Sequence, residues 1–428
     1  MTEDIFLPSF MSEMKKISSL SLKIDPQEKF RKIYEELWIE HNFVAPLNFN
    51  FMVCDGSRGL TEFQGGIKAL YARALVHSFK GKEFIDRIAE TKVFVDYLLQ
   101  KEDSYMKAVE LNALKKALEK VDEALAIYDG SLYPTFPLSA LNNEKIAKAK
   151  TEEFKALAAV YKQAYDENQV LIGFCKDSNV SYIRAKVLID CLKIEAPRIG
   201  EEVSRQMYPS RIAKKLKKLK EEASEREKKL LESYCYEFEL KTSDEEVFSN
   251  LSLNPGFTTP LILAPQPLYL EAAYEKKRDW WNSIFREKTS KLKPELYEIV
   301  KLLDEVYSLP PLATICWKPH HGLEVHRVDL SGWSLGVKMK WGDLKENIFI
   351  KEKAFINCCK EIVEKLNALS LTPTIIGPLT DVDTLVRIDN SVYRDVYEPI
   401  LINTLKKTGL KAKLRRRRLR EILLRRMR

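Results

Sequence analysis

Two Asp-Gly-Ser tripeptides are the first residues in this chain whose types and setting could do chemistry. Asp55-Gly56-Ser57 follows the apolar run FMVC, and Asp129-Gly130-Ser131 follows LAIY. A carboxylate at the carboxyl end of a buried strand stands at the rim of an open α/β sheet, where ligands bind. Glycine lets the chain turn and brings backbone close to a ligand. Serine can cap the next element or hydrogen-bond a phosphate. Asp-Gly is also a common hairpin signal, so plain turn chemistry is the alternative for each tripeptide. Glu110 lies in YMKAVELNALKKALEKV, flanked by Ala108-Val109 and Leu111, an apolar setting in which the acid can face the rim instead of solvent. Asp383 lies in IIGPLTDVDTLVRI, where Gly377-Pro378 breaks the chain. There Thr380 or Asp381 reads as a helix cap, with Asp383 in a first turn that the helix dipole alone would favour. Together Asp55, Glu110, Asp129 and Asp383 form an all-oxygen set of the kind that suits Mg²⁺ or Mn²⁺. Two such ions about 4 Å apart can activate water and stabilise a leaving oxygen in phosphodiester cleavage.

Those acids need elements to carry them. Residues 1–48 read as helices, most strongly amphipathic over 30–39, and FNFMVCDGSRG as a strand closing in a turn at Asp55-Gly56. Residues 67–79 read as a strand or strand pair and 82–120 as helices. A strand then leads into Asp129, followed by a helix over 144–167 and a strand over 170–176. Residues 211–229 hold nine bases and four acids with sparse apolar positions, which fits a projecting helix or helical hairpin. Its basic side chains make either a solvated face or a nucleic-acid contact. Two antiparallel strands are expected at 312–317 and 323–330, and helices at 345–369 and after Asp381. Strands alternating with helices indicate a mixed α/β sheet with helices on its faces. The chain divides accordingly into N-terminal helices (1–48), a core in two parts (49–195 and 256–405), a charged helical insertion (196–255) and an Arg-rich tail (406–428).

Composition narrows the class. At 428 residues with 45% hydrophobic side chains the chain can bury a sizeable core. No apolar run approaches the roughly 18 residues of a membrane span, and the opening MTEDIFLPSF is no secretory signal, so a cytoplasmic protein is expected. Seven cysteines without CxxC spacing and five histidines leave oxygen as the donor for any metal. The net charge of +8 is local: from Lys406 onward twelve bases face one acid, leaving −3 on residues 1–405. Arg415, Arg416, Arg417 and Arg418 concentrate that charge, and Leu419, Ile422, Leu423 and Met427 share a helical stripe. The tail is a docking helix, a phosphate-binding arm or an anionic-membrane patch.

The same motifs resemble the archaeal NurA nuclease family. An early DGS stands as Asp55-Gly56-Ser57, and a later DGSL as Asp129-Gly130-Ser131-Leu132, with Glu110 spaced like the family's helix glutamate. A strand ending in a lysine-serine element is present as Cys175-Lys176-Asp177-Ser178, with Asp177 where a small residue is usual. RVDL at 327–330 looks like a further family strand, and PLTDVDTLVRI at 378–388 like the last motif, whose acid or histidine is Asp383 here. The resemblance runs from about residue 49 to residue 388. It implies an RNase H-like fold, a homodimer, and manganese-dependent DNA cleavage, exonucleolytic from the 5′ end and endonucleolytic on single strands. It also implies a HerA-type hexameric ATPase as partner in end resection and double-strand break repair. On that basis Asp55, Asp129 and Asp383 would ligate Mn²⁺ or Mg²⁺, two ions in all, with Glu110 ligating or orienting the attacking water. Lys176 would neutralise the scissile phosphate, and Ser57, Arg58, Ser131 and the tail arginines would hold DNA. The alternatives are a non-catalytic assembly protein that caps a ring ATPase or binds DNA, and a phosphomonoesterase with Asp55 as nucleophile.

Overall fold

The computed structural model describes Met14 and residues 28–136, 143–176, 178–204, 209–240, 242–265, 293–320, 324–372 and 375–408. The N-terminal region is not all helical: helix α1 (Glu28–Glu36) gives way to strand β1 (Trp38–Glu40). Helix α1 buries Phe30 and Tyr34. Most residues before it lie outside the described ones.

Strand β2 (Asn50–Glu62) corrects the expected turn at Asp55-Gly56, because it runs straight through both residues and pairs with β3 (Ile67–Lys80) along its whole length. Asp55 opposes Leu75, Gly56 opposes Ala74 and Ser57 opposes Arg73. The expected helix from residue 82 is also corrected. Residues 83–97 form β4 (Glu83–Tyr97), joined to β3 by a tight turn in which Gly81 has φ +61°. Its apolar residues mimic helical spacing, but Ile85, Ile88, Thr91, Val93 and Val95 are β-branched and favour a pleated strand. The helix begins only at α2 (Glu102–Leu118).

Strand β5 (Leu125–Asp129), helix α3 (Glu144–Asp166) and strand β6 (Val170–Cys175) keep the expected order. The Asn143 side chain starts α3 by accepting from the backbone N–H groups of Lys145 and Ile146 at 3.0 and 3.3 Å. Helices α4 (Tyr182–Glu195), α5 (Pro197–Ser204), α6 (Pro209–Glu222), α7 (Glu225–Glu239) and α8 (Asp244–Ser249) come next. The charged segment is a helical hairpin, α6 packed on α7, and it is not merely a projection. Leu216, Leu231 and Tyr234 are fully buried, and Tyr234 meets Phe30 edge-on at 5.5 Å. Many of its lysines are paired locally, as in Lys220–Glu232 at 2.9 Å and Lys228–Glu225 at 2.8 Å.

The remaining strands are β7 (Gly256–Thr258), β8 (Leu261–Ile262), β9 (Leu312–Lys318), β10 (His326–Ser331) and β11 (Ile348–Phe349). Helix α9 (Lys293–Tyr307) precedes β9, and α10 (Lys353–Leu369) starts later than expected because β11 occupies part of its predicted span. After the small ribbon β12 (Ser370–Thr372) and β13 (Ile375–Ile376) come α11 (Gly377–Val386), α12 (Asn390–Val392) and α13 (Glu398–Lys407).

Among the described residues the result is a mixed, eleven-stranded sheet flanked by helices, ordered β1-β7-β9-β10-β6-β5-β2-β3-β4, with β8 and β11 branching from β9. Only β2–β5 and β5–β6 are parallel pairs among the described residues. Helix α2 is buried on several sides because it is held between the sheet and α3, and this carries Glu110 into the interior. No helix among the described residues is long and apolar enough to cross a membrane.

Candidate functional site

The three parallel strands set the site. Pairing between β2 and β5 ends at Cys54 and Tyr128, so Asp55 is the first residue of β2 to outrun its neighbour. Asp129 closes β5, opposite Phe174 of β6. Both acids therefore stand at the carboxyl rim of the parallel strands, as expected, although Asp55 gets there without a strand end. Strand pleating puts them on the same face. Asp55 is 7% exposed, and its Oδ1 accepts from the Gly56 N–H at 2.7 Å. Burial first, then the Asp129 and Glu110 carboxylates, push the Asp55 carboxyl up to about 8, opposed by Gly56 N–H and Lys176. Burial also raises the Asp129 carboxyl, with Asp383 adding to the rise. Lys176, just past β6, opposes it by donating to Asp129 Oδ2 at 2.6 Å.

Glu110 arrives from the opposite face. It is 2% exposed, and its backbone carbonyl accepts from Cys54 Sγ at 3.4 Å. Tyr128 donates its hydroxyl to Glu110 Oε2 at 2.6 Å. A Cβ at Gly56 would lie 2.3 Å from Glu110 Oε1, so only glycine lets this carboxylate rest across β2. Burial pushes the Glu110 carboxyl up to about 7, against the Tyr128 hydroxyl, with Asp129 raising it further. Gly56 thus leaves room for the Glu110 carboxylate to lie against β2 on the face opposite Asp55, and is not a turn residue.

Asp383 joins from α11. The expected cap at Thr380 or Asp381 is corrected: the helix starts at Gly377 with Pro378 in its first turn, which puts Asp383 in the second turn. Its side chain is half-buried and near enough to Asp129 to raise that carboxyl. Two cross-strand partners clamp the end of α11. Arg73 donates to Val386 O at 2.7 Å and Arg387 O at 2.8 Å, and Ser57 Oγ accepts from Ile388 N–H at 3.0 Å. Ser57 therefore holds the chain's own backbone. Arg58 is ion-paired with Asp103. Ser131 Oγ donates to Asp329 at 2.8 Å, and its carbonyl accepts from Lys107 at 2.5 Å. Asp177 and Arg415, Arg416, Arg417 and Arg418 lie outside the described residues.

Sequence reasoning missed Tyr128, Arg73, Lys107 and Asp329 as parts of this site. A tyrosine beside a rim aspartate and an arginine in a strand carry no spacing signal, since their partners are distant in sequence. The donor set consists of carboxylate oxygens, and burial, with repulsion from neighbouring carboxylates, raises Asp55, Glu110 and Asp129. That chemistry fits a hard divalent cation. Among the described residues, however, no three acidic, imidazole or thiol side chains are gathered as a ready ligand set. Glu110 reaches the rim from one face and the aspartates from the other, and Lys176 occupies Asp129.

Fold and site together define an α/β protein with an acidic cluster at the carboxyl rim of its parallel strands. A family model described as the NurA domain matches residues 50–279, more than half of the chain, and the protein belongs to that family. Among solved structures, the chain is similar to the NurA nuclease from Sulfolobus solfataricus at 14% identity and a TM-score of 0.49, covering 95% of this chain and 98% of that one. A NurA structure with manganese aligns at 12% identity and a TM-score of 0.33, covering 94% and 96%. Endonuclease V from Bacillus subtilis aligns over 36% of this chain and 59% of its own, at 14% identity and a TM-score of 0.18. No curated protein matches.

Proposed function

We propose that the protein is a metal-dependent deoxyribonuclease that hydrolyses phosphodiester bonds at this rim. The observation that carries the reading is the meeting of Asp55, Asp129 and Glu110 at the rim, with Lys176 bonded to Asp129 and Asp383 near enough to act on Asp129. A cluster of buried, mutually repelling carboxylates destabilises a fold unless a cation or a proton compensates it. Membership of the NurA domain family supports nuclease chemistry. The order β4-β3-β2-β5-β6, with β3 alone antiparallel to β2 and β5 and β6 parallel to it, supports an RNase H-like core.

Asp55, Asp129 and Asp383 would hold Mn²⁺ or Mg²⁺, in two sites. When bound, such an ion supplies charge stabilisation for the transition state and lowers the pKa of water. Glu110 would orient an attacking water, and Tyr128 fixes the Glu110 carboxylate. Lys176, 37% exposed at its side chain, can leave Asp129 for a phosphate oxygen once another cation balances the acid. Cleavage from the 5′ end, endonucleolytic cleavage of single strands, a homodimer and service to a HerA-type ring ATPase in end resection complete the proposal. They rest on the family resemblance.

In the test, Asp55→Asn loses manganese-supported cleavage of labelled single strands by at least about a hundredfold, while its circular dichroism and DNA binding stay those of the parent. Cleavage at the parent rate overturns the reading. The lack of a ready ligand set favours a second one, a DNA-binding assembly protein without catalysis. That reading expects no cleavage by the parent itself.

A further inference from the structure

Behind the rim lies a pair of buried charges that the reaction outlined above does not use. Arg327 and Asp329 sit two residues apart on β10, so they share a face, and they are 2% and 0% exposed. Asp329 Oδ2 accepts from Ser131 Oγ at 2.8 Å, from Leu132 N–H at 3.2 Å and from Arg327 Nη2 at 3.3 Å. Those first two partners belong to the loop after Asp129. Arg327 holds the other loop: its Nη1 donates to Ser178 Oγ at 2.8 Å and its Nη2 to Cys175 Sγ at 3.0 Å, on either side of Lys176. Glu245 completes the hold by accepting from the backbone N–H groups of Arg327 and Ser178 at 2.6 and 2.9 Å.

The path of the first loop shows why β6 contains a glycine. Strand β10 neighbours β6, not β5, so the loop after Asp129 must cross β6 to reach Asp329. A Cβ at Gly173 would lie 2.6 Å from Gly130 O and 3.1 Å from Leu132 N, closing that crossing. Gly130 itself turns at φ +141°. An arginine and an aspartate are poor core residues: taking both from water is unfavourable, and an apolar pair of similar volume would stabilise the interior at least as well. Stability therefore does not explain them. Their bonds to two neighbouring loops do.

We propose that Arg327 and Asp329 are positioning residues that yoke the loop after Asp129 to the loop bearing Lys176, and so set the Asp129–Lys176 contact. The proposal deepens the nuclease reading and rests on it for its catalytic consequence, but its structural consequence is independent.

The test is the double substitution Arg327→Met/Asp329→Leu, which removes both charges of the pair together, studied in the full chain. The expected result is a melting temperature at or above the parent's, with backbone hydrogen exchange at 130–132 and 175–178 faster by about tenfold or more. With single-stranded DNA and manganese, kcat is expected to fall about ten- to a hundredfold at unchanged KM. A purely structural pair would lower the melting temperature and leave kcat of the folded protein alone. If the double variant does not fold, Ser131→Ala decides, since it removes the half-exposed hydroxyl that Asp329 binds, together with that oxygen's bond from Tyr133 N–H, so Leu132 and not Tyr133 is the readout. It should show the same loss of exchange protection at Leu132. Parent-like exchange in both segments of a folded variant overturns the proposal. Absence of cleavage by the parent overturns the nuclease reading instead, and exchange still judges the yoke.

Discussion

Asp55 and Glu110 hold their protons far above the ordinary carboxylate range, to about 8 and about 7, because burial and neighbouring carboxylates, Asp129 above all, disfavour their charged forms. Linkage turns this into a dependence of stability on pH. Below about pH 4 both folded and unfolded chains keep these protons, and the contribution is fully present. As pH rises the unfolded carboxylates ionise first, so stability drains away until the folded groups titrate near 7 and 8. Metal-free parent protein should therefore lose melting temperature between pH 5 and pH 8. Asp55→Asn should flatten that loss and exceed the parent at pH 8 by on the order of a few kcal/mol. Added manganese should narrow the gap, since a cation stabilises the ionised parent. Equal pH profiles for parent and variant in chelator would refute this account of the acids. At this scale the sequence was partly legible. The two DGS tripeptides marked the rim residues, but Gly56 and Gly130 do different work, one admitting Glu110 and the other turning a loop.

At the scale of elements, α11 matters most, because it brings Asp383 to a site whose other residues lie 207 to 328 positions earlier. It is placed by side chains from β2 and β3, the Ser57 and Arg73 pair, which stand opposite each other in the sheet. Arg73 satisfies two carbonyls at the helix end that would otherwise lack partners. Arg73→Ala should destabilise the protein by about 1–3 kcal/mol and slow cleavage about tenfold. Arg73→Lys should recover only part of this, because a lysine lacks the planar fork that spans both carbonyls. Parent-rate cleavage by Arg73→Ala would show that α11 is held by other means. The amphipathic helices and the buried parallel strands were readable from pattern. Strand β4 was not: its edge position leaves most of its side chains exposed, so burial never imposed the alternation that marks a half-buried strand.

The whole molecule separates a nearly balanced body from an arginine-rich end. Residues 1–405 carry −3 and the remainder +11, so any general attraction to a polyanion is concentrated in one segment. Removal of residues 411–428 should weaken DNA binding and reduce the slope of log affinity against log salt by about 0.7 to 0.9 for each phosphate that the shortened chain no longer neutralises. An unchanged slope would direct the tail to a protein or a lipid surface. The hairpin of α6 and α7 is not an equivalent basic surface, because many of its lysines are paired with its own or neighbouring acids.

Local pattern alone determined a mixed α/β chain and marked Asp55 and Asp129 as residues of the sheet rim, because residue type and strand periodicity are written within a few neighbours. Which acids meet, and from which side, was decided only in three dimensions. Strand pairing makes Asp55 a rim residue within an unbroken strand, a missing side chain at Gly56 lets Glu110 lie against β2, and a clamp on α11 delivers Asp383. These are contacts between residues distant along the chain, in the case of α11 by hundreds of positions. No spacing rule encodes them, since register and close packing arise only when the strands and helices assemble.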